Sequence, residues 1–196
     1  VWHEPKVSRE QLWSAHKFHG MTIWLTGLSG SGKSTIAHEL ARKLTELGKF
    51  AYVLDADNVR HGLNSDLGFT DDDRAENVRR MAEVAKLFAS SGAITLVPII
   101  SPFASGRQFA RLIHTSDNLE FVEVHVATSL AECEKRDTKG LYAQVKAGAS
   151  IGLSGVNAPY EAPTAPEFSL CANGESLDQC VETLLRDVLL RCDLKR

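Results

Sequence analysis

The sequence predicts an α/β fold, a three-layer α/β/α domain around a mostly parallel sheet, and three observations carry that expectation. Short β-branched or apolar runs alternate with segments of helical periodicity along the chain. Some of those runs are apolar without interruption, as in strands covered on both faces. A length of 196 residues with 43% hydrophobic residues suits one core rather than two. A parallel connection must cross back over its sheet, and a helix does so compactly.

Met21 to Leu25 is the first strand, followed at once by glycines and then by the apolar stripe Ile36, Ala37, Leu40, Ala41, Leu44 and Leu47. Gly48 supplies the helix stop, and Phe50 to Leu54 reads as a second buried strand ending in Asp55 and Asp57. Thr70 with Asp73 forms a capping box for a helix whose stripe is Val78, Met81, Ala82, Ala85 and Ala89, ending before Gly92. Ile94 to Ile100 is the third strand, with Pro98 marking a bulge or an irregular end. Phe121 to Val126 is a fourth strand, Ser129 to Lys135 a short helix and Phe168 to Leu170 a last strand. Ser176 with Gln179 caps a final helix with the stripe Leu177, Cys180, Val181, Leu184, Leu185 and Val188.

The segment from Thr138 to Pro166 stands apart, because its glycines and prolines preclude a long regular element. In a compact domain such a stretch is expected to be a lid or binding loop. The chain is therefore one domain over residues 1–196, with an N-terminal extension over 1–20 and a lid segment over 138–166.

A net charge of −3, from 22 basic and 25 acidic residues, leaves no basic field for nucleic acid or an anionic membrane. Any anion binding is local, and the partner is expected to be a small molecule. No apolar run reaches the roughly 18 residues of a membrane span, and the N-terminus lacks the order of a signal peptide, so a cytoplasmic protein is expected. Cys133, Cys171, Cys180 and Cys192 form no C-x-x-C pair, which favours reduced thiols over staples or zinc. The first residue is Val1 rather than methionine, as in a trimmed chain or equally a domain cut from a longer protein.

Gly27-Leu28-Ser29-Gly30-Ser31-Gly32-Lys33-Ser34 matches G-x-x-x-x-G-K-[ST] in full, with a strand before it and a helix after it. That context specifies a P-loop NTPase fold, in which consecutive backbone N–H groups wrap a phosphate chain at the positive end of a helix. Lys33 would reach the β- and γ-phosphates, and the Ser34 hydroxyl would ligand magnesium. Asp55 and Asp57 lie where a strand ends, at the edge of an open sheet where ligands bind, and one of them can equally cap the next helix. Arg60, Arg74, Arg79 and Arg80, then Arg107 and Arg111, suggest a second anionic ligand, although a solvated helix face accounts for any one of them.

Together with the phosphate loop, the strings LDADNVRHGLN (54–64), DLGF (66–69), DRAENVRR (73–80), EVAKLFA (83–89), ISPF (100–103), KRDTKGLY (135–142) and APYEAP (158–163) resemble adenylylsulfate kinase. The resemblance runs in order from about Trp2 to Pro166. It implies transfer of the ATP γ-phosphoryl group, with Mg2+, to the 3′-hydroxyl of adenosine 5′-phosphosulfate. By that similarity Asp57 orients or deprotonates the hydroxyl, with Lys33, Asp55 and Ser101 assisting. Gly27, Ser29, Gly30, Ser31, Gly32, Lys33, Ser34 and Thr35, with Arg136 and Lys139, bind ATP. Asp57, Arg60, Phe69, Arg74, Asn77, Ile100, Ser101 and Leu153 line the acceptor side. Ser34 ligands the metal, with Asp55 reaching it through water. The resemblance also implies a homodimer, and leaves open fusion to or association with ATP sulfurylase.

Five departures from the family pattern fall on the acceptor side and lid. Ala56 stands between the aspartates in place of glycine, and Ala104 follows S-P-F in place of a basic residue. Ile151 and Leu153 stand where lysine and an aromatic are usual, the latter change removing about 1 kcal/mol of stacking. Asn157 replaces a frequent aspartate. Two other readings therefore stay open: a kinase for a related nucleotide conjugate, and a nucleotide-binding regulatory domain without turnover.

Overall fold

Five parallel strands in the order β2-β3-β1-β4-β5 make the sheet, in a computed structural model that describes residues 1, 3, 5–149, 151–171 and 174–193. Trp2, where the family resemblance begins, lies outside the described residues. The strands are β1 (Met21–Thr26), β2 (Ala51–Val53), β3 (Ile94–Pro98), β4 (Glu120–Val126) and β5 (Phe168–Leu170). Central β1 sets Met21 beside both Ile94 and Glu120, and every residue of β1 is buried.

The helices are α1 (Arg9–His16), α2 (Lys33–Glu46), α3 (Ala56–Val59), α4 (Asp71–Ser91), α5 (Ala104–Thr115), α6 (Leu130–Arg136), α7 (Leu141–Lys146) and α8 (Leu177–Cys192). Alternation along β1 divides the core in two. Met21, Ile23 and Leu25 face α2 and α8, packing on Ile36, Leu40, Val181 and Leu184. Trp24 points the other way, into α4 and α5, among Met81, Ala85 and Ala110. This is the expected three-layer architecture, and the capping boxes at Thr70–Asp73 and Ser176–Gln179 both form.

Several boundaries differ from expectation, each for a local reason. The second strand is shorter than Phe50 to Leu54 and not fully buried: β2 is an edge that pairs only with β3, and Tyr52 is exposed while stacking on Phe88 at 4.8 Å. β3 ends at Pro98, which cannot donate to a ladder, although Ile99 still donates to Leu25 O at 3.0 Å. Leu47 falls at the C-cap of α2 and is exposed. In β4 the polar alternation does not mean solvent, because Glu123 is buried and accepts from Arg107 Nε at 2.8 Å.

Three helices go beyond the sequence expectation. Within the N-terminal extension, α1 opens with a Ser8–Gln11 capping box and docks through Trp13 Nε1, which donates to Ala89 O at 3.3 Å. α5 has no side-chain cap, and buried Arg107 and His114 interrupt its apolar stripe. Inside the lid segment, Asp137 starts α7 by accepting from the backbone N–H groups of Tyr142 (3.1 Å) and Ala143 (2.9 Å). No helix among the described residues is long and apolar enough to cross a membrane.

Candidate active site

The cleft opens at the carboxyl ends of β1 and β3, where an open α/β sheet offers a ligand site, and has a volume of about 290 Å³. Its floor is the phosphate loop between β1 and α2. Gly27 takes φ 153°, and a Cβ there would stand 2.6 Å from Val126 O, so only glycine fits beside β4. Ser31 N donates to Leu28 O at 3.2 Å, which closes the turn, and α2 begins at Lys33 with its N-terminus toward the cleft.

Lys33 is buried and donates to Leu28 O at 2.7 Å. Burial, and then the charge of Lys139, lower its pKa to about 8 despite the opposing attraction of Asp57. The Ser34 hydroxyl donates to Asp55 Oδ2 at 2.8 Å, while Asp55 Oδ1 caps α3 by accepting from Asp57 N at 2.9 Å. One carboxylate therefore does structural and ligand-side work at once. Asp57 projects into the cleft, is well exposed, and forms an ion pair with Lys139.

The far wall is basic and aromatic. Arg60 lies 4.5 Å over the Phe69 ring and donates to the carbonyls of Leu67 and Gly68. Buried Arg74 donates to Phe69 O (2.9 Å), Ser154 Oγ (2.7 Å) and Gly152 O (2.7 Å), all neutral acceptors. Burial, and then the nearby Arg74 charge, disfavour protonated Arg60, as expected for two guanidinium groups arranged for an anion. Arg79, Arg80, Arg107 and Arg111 are elsewhere, each holding a carboxylate of the protein, so the anion-binding set narrows to Arg60 and Arg74. Asn77 completes this wall, its Oδ1 accepting from Asn64 Nδ2 at 3.0 Å.

Ser101 lies between the two walls with φ 41°, a left-handed conformation that costs a non-glycine residue about 1 kcal/mol. Two partners hold it there: Trp24 Nε1 donates to its Oγ at 3.1 Å and Arg107 to its carbonyl at 2.7 Å. Strain maintained by a buried tryptophan and arginine suits a functional position.

The structure brings Ser29, Gly30, Gly32, Lys33, Ser34 and Thr35 to one cleft with Asp57, Arg60, Phe69, Arg74, Asn77, Ile100, Ser101, Arg136 and Lys139. Gly27, Ser31 and Asp55 support that wall from behind. Leu153 is placed differently from expectation: it is buried against Cys133 and Tyr142, with Leu28 of the phosphate loop packed on the same cluster. Lys146, inside the lid segment, pairs with Glu134 at 2.7 Å. Asn157 accepts from Leu153 N at 2.6 Å and donates to Ile151 O at 2.8 Å, two bonds that shape the turn. Asn64, Trp24, Ser154 and Tyr142, whose hydroxyl donates to Ser29 O at 2.9 Å, escaped the sequence reading because they act through their neighbours.

No group of three or more His, Cys, Asp or Glu residues that could cage a metal occurs among the described residues. The neighbouring oxygens of Ser34 and Asp55 do fit magnesium, which takes one or two protein oxygens and completes its shell with phosphates and water.

A family model described as adenylylsulphate kinase matches residues 19–171. The adenylyl-sulfate kinase of Prochlorococcus marinus is 46% identical over 190 residues, covering 96% of this chain and 93% of its own. That of Clostridium kluyveri is 49% identical over 184 residues, covering 94% and 91%. Among solved structures, the Mycobacterium tuberculosis APS kinase in complex with AMPPNP and APS superposes with a TM-score of 0.84 at 48% identity, covering 88% of this chain and 98% of that one. The hexameric APS kinase from Thiobacillus denitrificans gives a TM-score of 0.67 at 29% identity, covering 92% of this chain but 31% of that one.

Proposed function

The chain belongs to the adenylylsulfate kinase family, and we propose that it carries out that family's reaction, moving the γ-phosphoryl group of ATP to the 3′-hydroxyl of adenosine 5′-phosphosulfate. The observation that carries this reading is a phosphate loop and a second anion wall, Arg60 with Arg74, facing each other across Asp57 in one cleft. The M. tuberculosis relative, solved with an ATP analogue and APS together, supports the same two-ligand reading.

ATP lies along the phosphate loop, with Lys33 exchanging its Leu28 carbonyl for β- and γ-phosphate oxygens. Arg60, Arg74 and Asn77 fasten the phosphosulfate and ribose, and the adenine stacks on Phe69. The acceptor 3′-oxygen attacks the γ-phosphorus, its bond to the bridging oxygen breaks, and ADP leaves. Asp57 orients the hydroxyl and takes its proton, once Lys139 has moved to the phosphates. Ser34, with Asp55 beside it, would hold magnesium, which would supply charge neutralisation on the phosphate oxygens. The protein's own contribution is positioning and fixed positive charge.

The working unit we propose is a cytoplasmic homodimer acting on small molecules. The hexameric T. denitrificans relative, of whose chain this one covers 31%, supports an assembled state, and light scattering on this chain tests for two copies. Association with or fusion to an ATP sulfurylase, which would supply the acceptor, belongs to the same proposal. A coupled assay of ADP release tests the activity: release should require adenylylsulfate, and the product should carry a 3′-phosphate. ADP release indifferent to adenylylsulfate would favour a kinase for another nucleotide conjugate, and nucleotide binding with no turnover would favour a regulatory domain.

A further inference from the structure

None of the four cysteines lines the cleft, yet two of them sit together. Cys171 follows β5 in a left-handed conformation (φ 63°), and its Sγ lies 3.2 Å from Sγ of Cys180 in the first turn of α8. Both are free thiols, and about 1.2 Å of closure separates this contact from the roughly 2.05 Å of a bonded pair. Cys133 and Cys192 are buried apart, directed at the carbonyls of Thr128 and Leu189. Cys171 is partly exposed whereas Cys180 is buried, so an oxidant meets Cys171 first.

We propose that Cys171 and Cys180 form a reversible dithiol–disulfide couple in the folded chain, with a low-molecular-weight disulfide as oxidant. The Cys171 thiolate attacks one sulfur of that disulfide and expels a thiolate, leaving a mixed disulfide. Cys180 then attacks the Cys171 sulfur and expels the second. Two electrons pass to the oxidant, and the two cysteine protons end on the two released thiols. Burial, and then the adjoining Cys180, push the Cys171 thiol up to about 12, so the exchange at neutral pH is slow and is followed over hours.

The couple has a path to the phosphate loop. Leu170, next to Cys171, accepts at its carbonyl from Ala127 N at 2.7 Å, and the following residue, Thr128, makes contact with the loop through its hydroxyl, which donates to Ser31 O at 2.8 Å. Drawing Cys171 toward α8 pulls on that contact, so oxidation should raise the KM for ATP several-fold and leave the KM for the acceptor unchanged. This second half rests on the kinase reading, whereas bond formation does not.

The test incubates the full chain with oxidised glutathione, alkylates it under denaturing conditions and maps peptides by mass spectrometry. The free thiols should fall from four to two, with Cys171 joined to Cys180. Cys180→Ser should instead leave glutathione on Cys171, and Cys171→Ser should leave its three thiols unreacted. Four persisting thiols, or glutathione on Cys171 of the unaltered chain with no internal bond, would overturn the couple. In the kinetic arm, dithiothreitol should restore the KM for ATP, and Cys171→Ser should not respond to oxidant. Equal KM values before and after oxidation would overturn the link to the phosphate loop, while the thiol count reports on the couple independently of any activity.

Discussion

Lys139 and Asp57 form an ion pair across the mouth of the cleft, although 82 residues separate them in sequence. Lys139 comes from the turn between α6 and α7, and Asp57 from the first turn of α3, so the pair bridges the nucleotide side and the acceptor side. Both side chains are more than half exposed, and such pairs contribute about 0–1 kcal/mol. Phosphate oxygens can therefore take Lys139 from Asp57 at little cost, freeing the carboxylate when a hydroxyl arrives.

Asp57→Asn should lower kcat by about 10²–10⁴-fold, because the amide keeps the shape but cannot accept the proton. The Kd for ATP should change little. Asp55→Asn should act differently, weakening magnesium-dependent nucleotide binding and the start of α3, where Asp55 is the N-cap. A larger kcat loss in Asp55→Asn, measured beside Asp57→Asn at saturating substrates, would reverse the two assignments.

Lys33→Ala should abolish turnover with the fold intact. The lysine's depressed pKa of about 8 also sets a pH dependence of binding. Phosphates favour the charged form, so above pH 8 nucleotide binding must take up a proton and affinity falls as pH rises. Stability follows the opposite course. The unfolded lysine titrates near 10.5, so the unfolded state holds more protons between pH 8 and 10.5 and the ligand-free fold gains stability across that window. Lys33→Met should be more stable than the unaltered chain at pH 7, with the advantage shrinking above pH 8. Denaturant melts of both proteins across that range check the sign.

How much of this was legible in the sequence depended on whether a residue acts directly or through another. The phosphate loop is contiguous and carries its strand and helix with it, so Gly27 to Ser34 could be read outright. Residue type alone does not tell Arg60 and Arg74, which the family resemblance places on the acceptor side, from Arg107 and Arg111, because the physical difference is the carboxylates Glu123 and Glu167 contributed by β4 and the approach to β5. α5 was missed since a helix that buries a paired arginine and a histidine shows no clean stripe. The family motif implies Leu153 for the acceptor pocket, but it is buried with Cys133 and Tyr142 in a cluster that Leu28 packs against, a grouping only the folded chain brings about.

Asn64 should act on the acceptor only through Asn77. Its amide donates to Asn77 Oδ1, which leaves the Asn77 N–H groups free for the cleft, while Asn64 Oδ1 is buried without a partner. Asn64→Ala should raise the KM for adenylylsulfate and leave the KM for ATP unchanged. Some loss of stability, about 1 kcal/mol, should accompany it. Parallel increases in both KM values would mean that Asn64 supports the whole cleft rather than one amide.

Phe69→Ala should raise the KM for adenylylsulfate, since Phe69 is exposed on the cleft wall and backed by Arg60. With Leu153 buried away from the cleft, no second ring lines it among the described residues, and Leu153→Phe should not restore stacking. Overpacking that cluster should instead cost about 1–3 kcal/mol of stability. Tighter acceptor binding in Leu153→Phe would show that residue 153 reaches the base after all.

The lid segment, residues 138–166, should close in two parts. α7 and the turn around Leu153 already pack on the phosphate loop: Tyr142 bonds Ser29, Leu28 packs on the cluster of Cys133, Tyr142 and Leu153, and a Cβ at Gly155 would stand 2.6 Å from Leu28 Cδ2. Arg74 also holds Gly152 and Ser154. Amides at 142–146 and 153–158 should therefore be protected from hydrogen exchange even in ligand-free protein. In the stretch from Arg136 to Lys139, exposed Arg136 pairs with Glu132 within α6 and Lys139 reaches across the cleft through its exposed pair with Asp57, so ADP with adenylylsulfate should add most protection there. Because Ile151 adds no charge, and Lys146 is engaged by Glu134, that closure should depend only weakly on salt. Exchange measured with and without the two ligands, at low and high salt, decides the matter. Uniform protection across 136–158 in both states would mean that the segment is part of the scaffold and that no lid closes.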